Sequence, residues 1–196
     1  MSQAPAGPST RQRILVAALD AFAGRGVEAT SLDAVAAEVG VRKQTLLYWF
    51  PSKEQLLLEV IDHAVGELAA TLSDAALGAR SAPLTGPLTA VVDATFRLGS
   101  TRPQLLAVLR EVTRLGPPAT TRLAAAVEPL VEVAAAALGR PAERDRVRAV
   151  LLAAGARVVG FATEAEVRAD LGLEPDLRWL RARRRALLAD LEAALA

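Results

Sequence analysis

The scarcity of certain residues excludes several kinds of chemistry. The chain has no cysteine, so disulfides and thiolate metal sites are ruled out. Its single histidine, His63, adjoins Asp62 but has no second base or nucleophile grouped with it, which favours a structural histidine over a catalytic one. A phosphate-binding glycine loop is also missing from the sequence. We therefore expect a protein that is not an enzyme and that needs neither a cofactor nor a metal.

Net charge and hydrophobic length are limited as well. The formal net charge of +1 gives no global basic field, so contact with nucleic acid would depend on local clusters. No stretch approaches the roughly 20 apolar residues that span a bilayer. The apolar run 149–156, for example, is closed by Arg148 and Arg157. These features predict a cytoplasmic protein without membrane contact.

The residues that are abundant favour helices. Alanine and leucine dominate, aromatics make up only 4%, and runs of β-branched residues are short. We predict an all-α protein of about nine helices. Residues 1–9 hold nothing to bury and are predicted to be a disordered arm. Residues 10–51 are predicted to form a small N-terminal domain, here called the head, and residues 52–196 a larger helical domain, here called the body.

The head has the pattern of three short helices. The first is predicted to begin at Thr10 and to end at Gly24 and Gly26. The second follows Thr30 and Ser31, two candidate N-caps, and ends at Gly40. Its apolar residues recur at helical spacing: Leu32, Val35, Ala36 and Val39. The third begins near Arg42 and is expected to bury Leu46 and Phe50. This arrangement predicts a helix-turn-helix.

The body begins with a long helix. Ser52 and Gln55 have the spacing of a capping box, and Pro51 discourages continuation from the preceding helix. This helix is predicted to run to about Ser73 and to link the two domains mechanically. A loop is predicted over residues 78–87. Five more helices follow, with predicted spans 87–100, 103–115, 116 onward with a kink at Pro129, 141–163, and 176 to the C-terminus.

Residues 28–60 carry glycine, aromatic and polar residues at fixed spacing: Thr30-Ser31-Leu32, Val35-Ala36, Gly40-Val41, Thr45-Leu46, Tyr48, Phe50 and Ser52-Lys53-Glu54. This set resembles the TetR family of bacterial transcriptional regulators. The resemblance covers roughly residues 10–60, and beyond it only length and helical pattern agree. Two positions depart from the family pattern, because Leu47 stands where tyrosine is common and Arg42 where a small hydroxyl residue is common.

The resemblance implies a recognition helix that enters the DNA major groove. Arg42, Lys43, Gln44 and Thr45 are then expected to reach base edges. Tyr48 and Trp49 are expected to touch phosphate, as is Lys53 at a helix N-terminus, where the helix dipole favours an anion. Thr30 or Ser31 is expected to add a phosphate contact. The plain alternative is a surface helix with one buried face.

The resemblance also implies that the last two helices pair with those of a second copy. The candidate interface residues are Leu151, Val158, Leu180, Arg184, Leu187, Leu188 and Leu191. Their apolar pattern alone would equally allow ordinary core packing. A ligand pocket is expected between the linking helix and the other body helices. Its candidate residues are the polar and aromatic ones within apolar stretches: Phe96, Arg97, Arg110, Arg114, Arg157, Phe161 and Trp179.

Taken together, these features predict a homodimeric repressor that binds a palindromic double-stranded DNA operator and is released by a small, largely apolar effector. One alternative is a helix-turn-helix protein that is controlled by a protein partner or acts without a ligand. Another is an enzyme in the helical body, which the missing catalytic constellation disfavours. Whether the response is repression or activation stays open at this point.

Overall fold

The computed structural model describes residues 9–79 and 85–196, which form nine α-helices and no β-strand. The all-α fold predicted from composition is thus confirmed for these residues. The predicted disordered arm, apart from Ser9, and the centre of the predicted 78–87 loop lie outside the described residues. The helices are α1 (Thr10–Arg25), α2 (Leu32–Val39), α3 (Lys43–Trp49), α4 (Lys53–Gly78), α5 (Thr85–Thr101), α6 (Pro103–Leu115), α7 (Ala119–Ala137), α8 (Arg144–Asp170) and α9 (Leu177–Leu195).

Serine caps begin three of the first four helices. The hydroxyl of Ser9 accepts from the backbone N–H of Gln12 at 3.2 Å. Ser31 and Ser52 make the same contact at the starts of α2 and α4, at 3.1 and 3.0 Å. Each cap satisfies one of the backbone donors that a helix leaves unpaired at its N-terminus. Gly40 ends α2 in the left-handed conformation, with φ of 75°, which turns the chain sharply into α3.

The body helices differ from their predicted lengths. The linking helix α4 continues to Gly78, five residues beyond the predicted end, and α8 continues to Asp170, past the predicted end at Thr163. Helix α7 continues through Pro129 as a single helix. None of the helices in the described ranges is long and apolar enough to cross a membrane.

The core of the head extends into the body. Ile14, Phe22, Leu46 and Phe50 are almost completely buried, as the pattern of the head predicts for Leu46 and Phe50. The same cluster includes apolar residues of α6, at Leu105, Val108 and Val112. Two smaller clusters lie deeper in the body, one around Val131 and Val147 and one around Val92, Leu187 and Leu191. The head is therefore packed against both α4 and α6.

Candidate nucleic-acid interface and ligand cavity

Helix α3 is held in place by its buried face. Leu46 and Phe50 are fully buried against α1, α2 and α4. The guanidinium of Arg11 lies over the Phe50 ring, 5.4 Å from its centroid. Arg13, two residues further along α1, donates to the carbonyl oxygen of Val39 at 2.6 Å and thereby fixes the end of α2. These contacts fix the orientation of a helix of only seven residues, which would not be stable alone.

The opposite face of α3 is open to solvent. Gln44 and Tyr48 lie one turn apart on this face and are both exposed, and Thr45 beside them is half-buried. The side chain of Tyr48 is 78% exposed and that of Trp49 is 42% exposed, with their rings edge to face at 5.1 Å. Arg42, also exposed, immediately precedes the helix in extended backbone. The predicted base-reading and phosphate-contacting residues of α3 thus share one accessible surface.

Lys43 is paired within the head. Its ammonium donates to the carboxylate of Asp33 at 2.7 Å, and both side chains are exposed. An exposed ion pair of this kind contributes about 1 kcal/mol or less, so its exchange for a contact with DNA costs little. The ammonium also has three donors and uses one of them here. Lys43 is therefore oriented by Asp33 and still has hydrogen-bond donors available for a contact with DNA.

Lys53 links the start of α4 to the turn between α1 and α2. Its ammonium donates to the backbone carbonyl of Glu28 at 3.0 Å, which leaves two donors for a phosphate oxygen. The N-terminal amides of α4 and the helix dipole lie beside it. Lys53 thus combines a fixed position with free hydrogen-bonding capacity.

Thr30 requires a correction. We predicted that Thr30 or Ser31 contacts phosphate, but Thr30 is only 1% exposed and lies under the turn after α1. Its hydroxyl oxygen lies 2.8 Å from the carbonyl oxygen of Gly26 and 3.2 Å from that of Ala21, both of which can only accept. Thr30 is therefore a structural residue that satisfies the end of α1. Ser31, which caps α2, is the exposed member of the pair.

The body contains a cavity of about 490 Å³ that is lined by α4 to α9 and is partly open to solvent. Its lining is apolar, and among the described residues it includes only three polar side chains: Ser73, Thr95 and Thr113. Helix α4 contributes Val65 and Leu68, among others. The volume is within the range of ligand pockets in proteins, which are mostly apolar with a few placed polar groups. The cavity has the place that the sequence predicted for a ligand site.

None of the seven predicted ligand residues lines this cavity, and the charged ones have other partners. Arg110 forms a two-fold ion pair with Glu166 of α8. Arg157 pairs with Asp190 of α9. Arg114 faces the head instead of the cavity, and Arg97 is exposed. Because burying an unpaired charge is costly, these arginines lie where a carboxylate or water can reach them.

The aromatic candidates form a cluster at the side of the cavity. Phe96 and Phe161 pack on each other with ring centroids 6.4 Å apart. The indole N–H of Trp179 donates to Glu164 at 3.1 Å, and the guanidinium of Arg183 lies 5.5 Å from the Trp179 ring centroid. These contacts join α5, α8 and α9. The aromatic residues are thus part of the packing and not of the cavity wall.

Several predicted dimer contacts are also internal. Leu187 and Leu191 are 2% and 7% exposed within one protomer and, with Leu151 and Val158, line the cavity. Arg184, which we expected to pair across an interface, forms an ion pair with Asp93 of α5, and this pairing lowers the pKa of Asp93. The last two predicted interface residues, Leu180 and Leu188, are half-buried, and Leu188 packs on the cluster around Val92.

A second connection between head and body was not predicted. The Glu111 carboxylate of α6 accepts the backbone N–H of Val27 at 3.4 Å. Glu111 also holds Arg114 at 2.7 Å, and Arg114 extends to within 3.6 Å of the Glu28 carboxylate. The hydrogen bond from Arg114, supported by that from Val27, lowers the pKa of Glu111. The turn at Val27–Glu28 is thus held by α6 on one side and by Lys53 of α4 on the other.

Metal sites are not indicated in the parts of the chain that the structure describes, since these hold no cluster of three potential ligands among histidine, aspartate and glutamate.

Comparison with known proteins gives a sequence match for the head and a fold match for the whole chain. Residues 14–60 match the family described as bacterial regulatory proteins, tetR family. The HTH-type transcriptional regulator RutR of Escherichia coli (strain K12) is 47% identical over 51 residues, which are 26% of this chain and 24% of RutR. The chain therefore aligns with about a quarter of the length of the curated relatives it matches.

The solved structures extend the similarity to the body. The fatty acid degradation regulator FadR from Bacillus halodurans has a TM-score of 0.71 at 15% identity, covering 96% of this chain and 97% of FadR. A TetR-family transcriptional regulator from Streptomyces coelicolor has a TM-score of 0.68 at 22% identity, covering 95% of this chain and 99% of that protein. At these identities the similarity concerns the fold alone.

Proposed function

We propose that the chain is a TetR-family, DNA-binding transcriptional regulator in the cytoplasm, because residues 14–60 match that family. The observation that carries this proposal is the exposed face of α3, where Gln44 and Tyr48 lie side by side over a fully buried Leu46. A short polar helix supported in this way fits the major groove. Glutamine pairs well with adenine, and arginine or lysine with guanine, which assigns base contacts to Gln44, Arg42 and Lys43.

Phosphate contacts then fix the position of α3 on the duplex. Tyr48, Trp49, Ser31 and Lys53 are accessible around the α3 surface, and Lys53 keeps two free donors. Because the net charge of the chain is only +1, binding depends on these placed groups and not on a general attraction. Contacts of this kind position a protein without reading sequence.

The regulator acts as a homodimer through α8 and α9. An uncharged, exposed stripe follows one face of α8: Leu152, Ala156, Gly160, Thr163 and Val167, of which Leu152 and Ala156 also line the cavity. A second exposed stripe follows α9: Ala182, Ala186, Ala189 and Ala193. Small side chains allow close approach of helices, and contiguous apolar surface of this kind is typical of an interface. Two copies joined here would present two heads to the halves of a palindrome, one DNA turn of ~34 Å apart or a multiple of it.

A small apolar molecule in the body cavity releases the operator, and the response is therefore repression in its absence. Helix α4 lines the cavity through Val65 and Leu68 and begins at Lys53. Helix α6 lines it through Leu106 and Leu109 and holds the Val27–Glu28 turn through Glu111. A ligand that fits one arrangement of α4 and α6 shifts both supports of the head. To move the balance from 1:99 to 99:1, it must prefer that arrangement by about 5.5 kcal/mol.

The proposal is tested by selecting duplexes from a random pool and measuring the mass of the complex. We expect the selected sequence to be palindromic and to bind two chains, with a single half-site bound far more weakly. Recovery of no preferred sequence would contradict the DNA-binding role. A preferred sequence bound by one chain would contradict the dimer alone. Operator binding that no apolar compound weakens would favour control by a protein partner, or none.

A further inference from the structure

The few polar groups that line the cavity restrict the chemical class of a ligand more than the volume of the cavity does. In the described part of the chain, the lining includes no charged side chain. An ionised carboxylate or ammonium placed there would lose its water without gaining a partner, which costs far more than apolar burial returns. The part of a ligand that is buried in this cavity is therefore uncharged.

Thr95, on α5, determines which partner donates in a hydrogen bond between the cavity wall and a ligand. Its hydroxyl oxygen lies 2.8 Å from the carbonyl oxygen of Val91, one turn earlier in the same helix. A carbonyl oxygen can only accept, so the single proton of this hydroxyl is already committed. What Thr95 offers the cavity is a pair of acceptor lone pairs. Thr113 is in the same situation, since its hydroxyl donates to the carbonyl of Arg110 at 2.7 Å. The third polar side chain of the lining, Ser73, has a hydroxyl that can donate as well as accept.

We infer that the cavity binds a neutral lipophilic alcohol, with the ligand hydroxyl donating to Thr95. This inference names the ligand class of the cavity. It rests on the proposed function only in that binding of the alcohol would release the operator. An alkyl or alicyclic body fills the apolar volume, which equals about sixteen water volumes at ~30 Å³ each. A hydroxyl group can donate to Thr95, whereas an ether or ester oxygen and a carboxylate can only accept.

The ligand class is tested by calorimetry near neutral pH with three matched probes: decanol, its isomer methyl nonyl ether, and decanoate. Decanol and the ether have the same size and differ in the ability to donate. We expect decanol to bind roughly two- to tenfold more tightly than the ether, which corresponds to one hydrogen bond. Decanoate is expected to bind at least about tenfold more weakly than decanol because of its charge. Decanoate binding as tightly as decanol, or the ether matching decanol, would overturn the inference.

Substitution of Thr95 separates the contribution of its hydrogen bond to ligand affinity from that of apolar packing in the cavity. Thr95→Val should reduce decanol affinity roughly to that of the ether, by about two- to tenfold, and leave ether affinity unchanged. Thr95→Ser keeps the hydroxyl and should keep the preference for decanol. The matched control is Thr71→Val, because Thr71 donates to its own helix in the same way at 3.0 Å but does not line the cavity. Equal loss of both ligands in Thr95→Val would contradict the assignment.

Operator binding is measured in the same samples to keep the two proposals apart. If decanol binds with the expected preference but leaves operator affinity unchanged, ligand release is wrong and the ligand class stands. The opposite result is also informative. If ligand-free protein binds its operator but decanol does not bind more tightly than the ether and decanoate, the ligand class is wrong and the DNA-binding role stands.

Discussion

The Glu111 carboxylate of α6 accepts the backbone N–H of Val27 in the turn that follows α1. Glu111 is on the part of α6 that faces the head, while Leu106 and Leu109 of the same helix line the cavity. Helix α6 thus has the cavity on one face and the contact that supports the head on another. The linking helix α4 also contacts both: Val65 lines the cavity, and Lys53 donates to the Glu28 carbonyl in the turn of the head.

Removal of the Glu111 contact should affect both stability and DNA binding. In Glu111→Ala the N–H of Val27 loses its acceptor, and we expect the free energy of unfolding to fall by about 1 kcal/mol. We also expect operator affinity to change, since the turn that holds Lys53 is then freer. The matched control is Glu132→Ala, which breaks an exposed ion pair with Arg144 far along the chain from the head. Operator affinity that responds equally to both substitutions would argue against a role of Glu111 in coupling.

The same carboxylate predicts a dependence on pH. Arg114 and the Val27 N–H hold the pKa of Glu111 below its ordinary value of 4.5. A lowered pKa in the folded state means that the stabilisation is complete above the unfolded value and is lost as pH falls through the folded value. The difference in melting temperature between the wild type and Glu111→Gln should therefore be constant above about pH 5.5 and shrink below about pH 4.5. A difference that grows on acidification would contradict this pairing.

The proposed dimer interface can be tested at a glycine. Gly160 is exposed in the middle of the α8 stripe, and a Cβ atom built there meets nothing within 4 Å of its own protomer. Gly160→Glu should therefore fold as a protomer, gain up to about 1 kcal/mol in helix propensity, and fail to dimerise because a charge enters the interface. Gly66→Glu on α4 is the control, since Gly66 is equally exposed and equally open. Sedimentation should show a monomer for the first variant and a dimer for the second, and a Gly160→Glu dimer would place the interface elsewhere.

The sequence predicted the helices of the head because the local signals for their starts, ends and buried faces agree. The serine caps, Gly40 and the buried Leu46 and Phe50 are local features that act within a few residues, and the structure has each of them. Thr30 was misassigned because a threonine before a helix has the same pattern whether its hydroxyl faces solvent or the preceding turn. Only the fold brings the carbonyls of Ala21 and Gly26 against it.

The sequence could not show which residues line the cavity and which face a second copy, for a physical reason. An apolar residue has the same helical spacing whether it faces packed side chains, a void or a second copy. Leu187 and Leu191 were therefore assigned to the interface although they line the cavity. Arg110 was assigned to the cavity because its carboxylate partner, Glu166, lies 56 residues away and becomes a neighbour only in the fold.

The central claim is that this chain holds DNA through a few placed groups around α3, and Lys53 tests it most directly. Operator affinity is measured against salt concentration for the wild type, Lys53→Ala and Gln44→Ala. Because each phosphate contact releases counterions, wild-type affinity should fall steeply with salt, and Lys53→Ala should weaken all sequences alike and reduce the slope by about 1. Gln44→Ala should keep the slope and lose preference at one base pair, worth about 1–3 kcal/mol. A flat salt response of the wild type, or a Lys53→Ala variant that changes specificity and leaves the slope intact, would contradict the account.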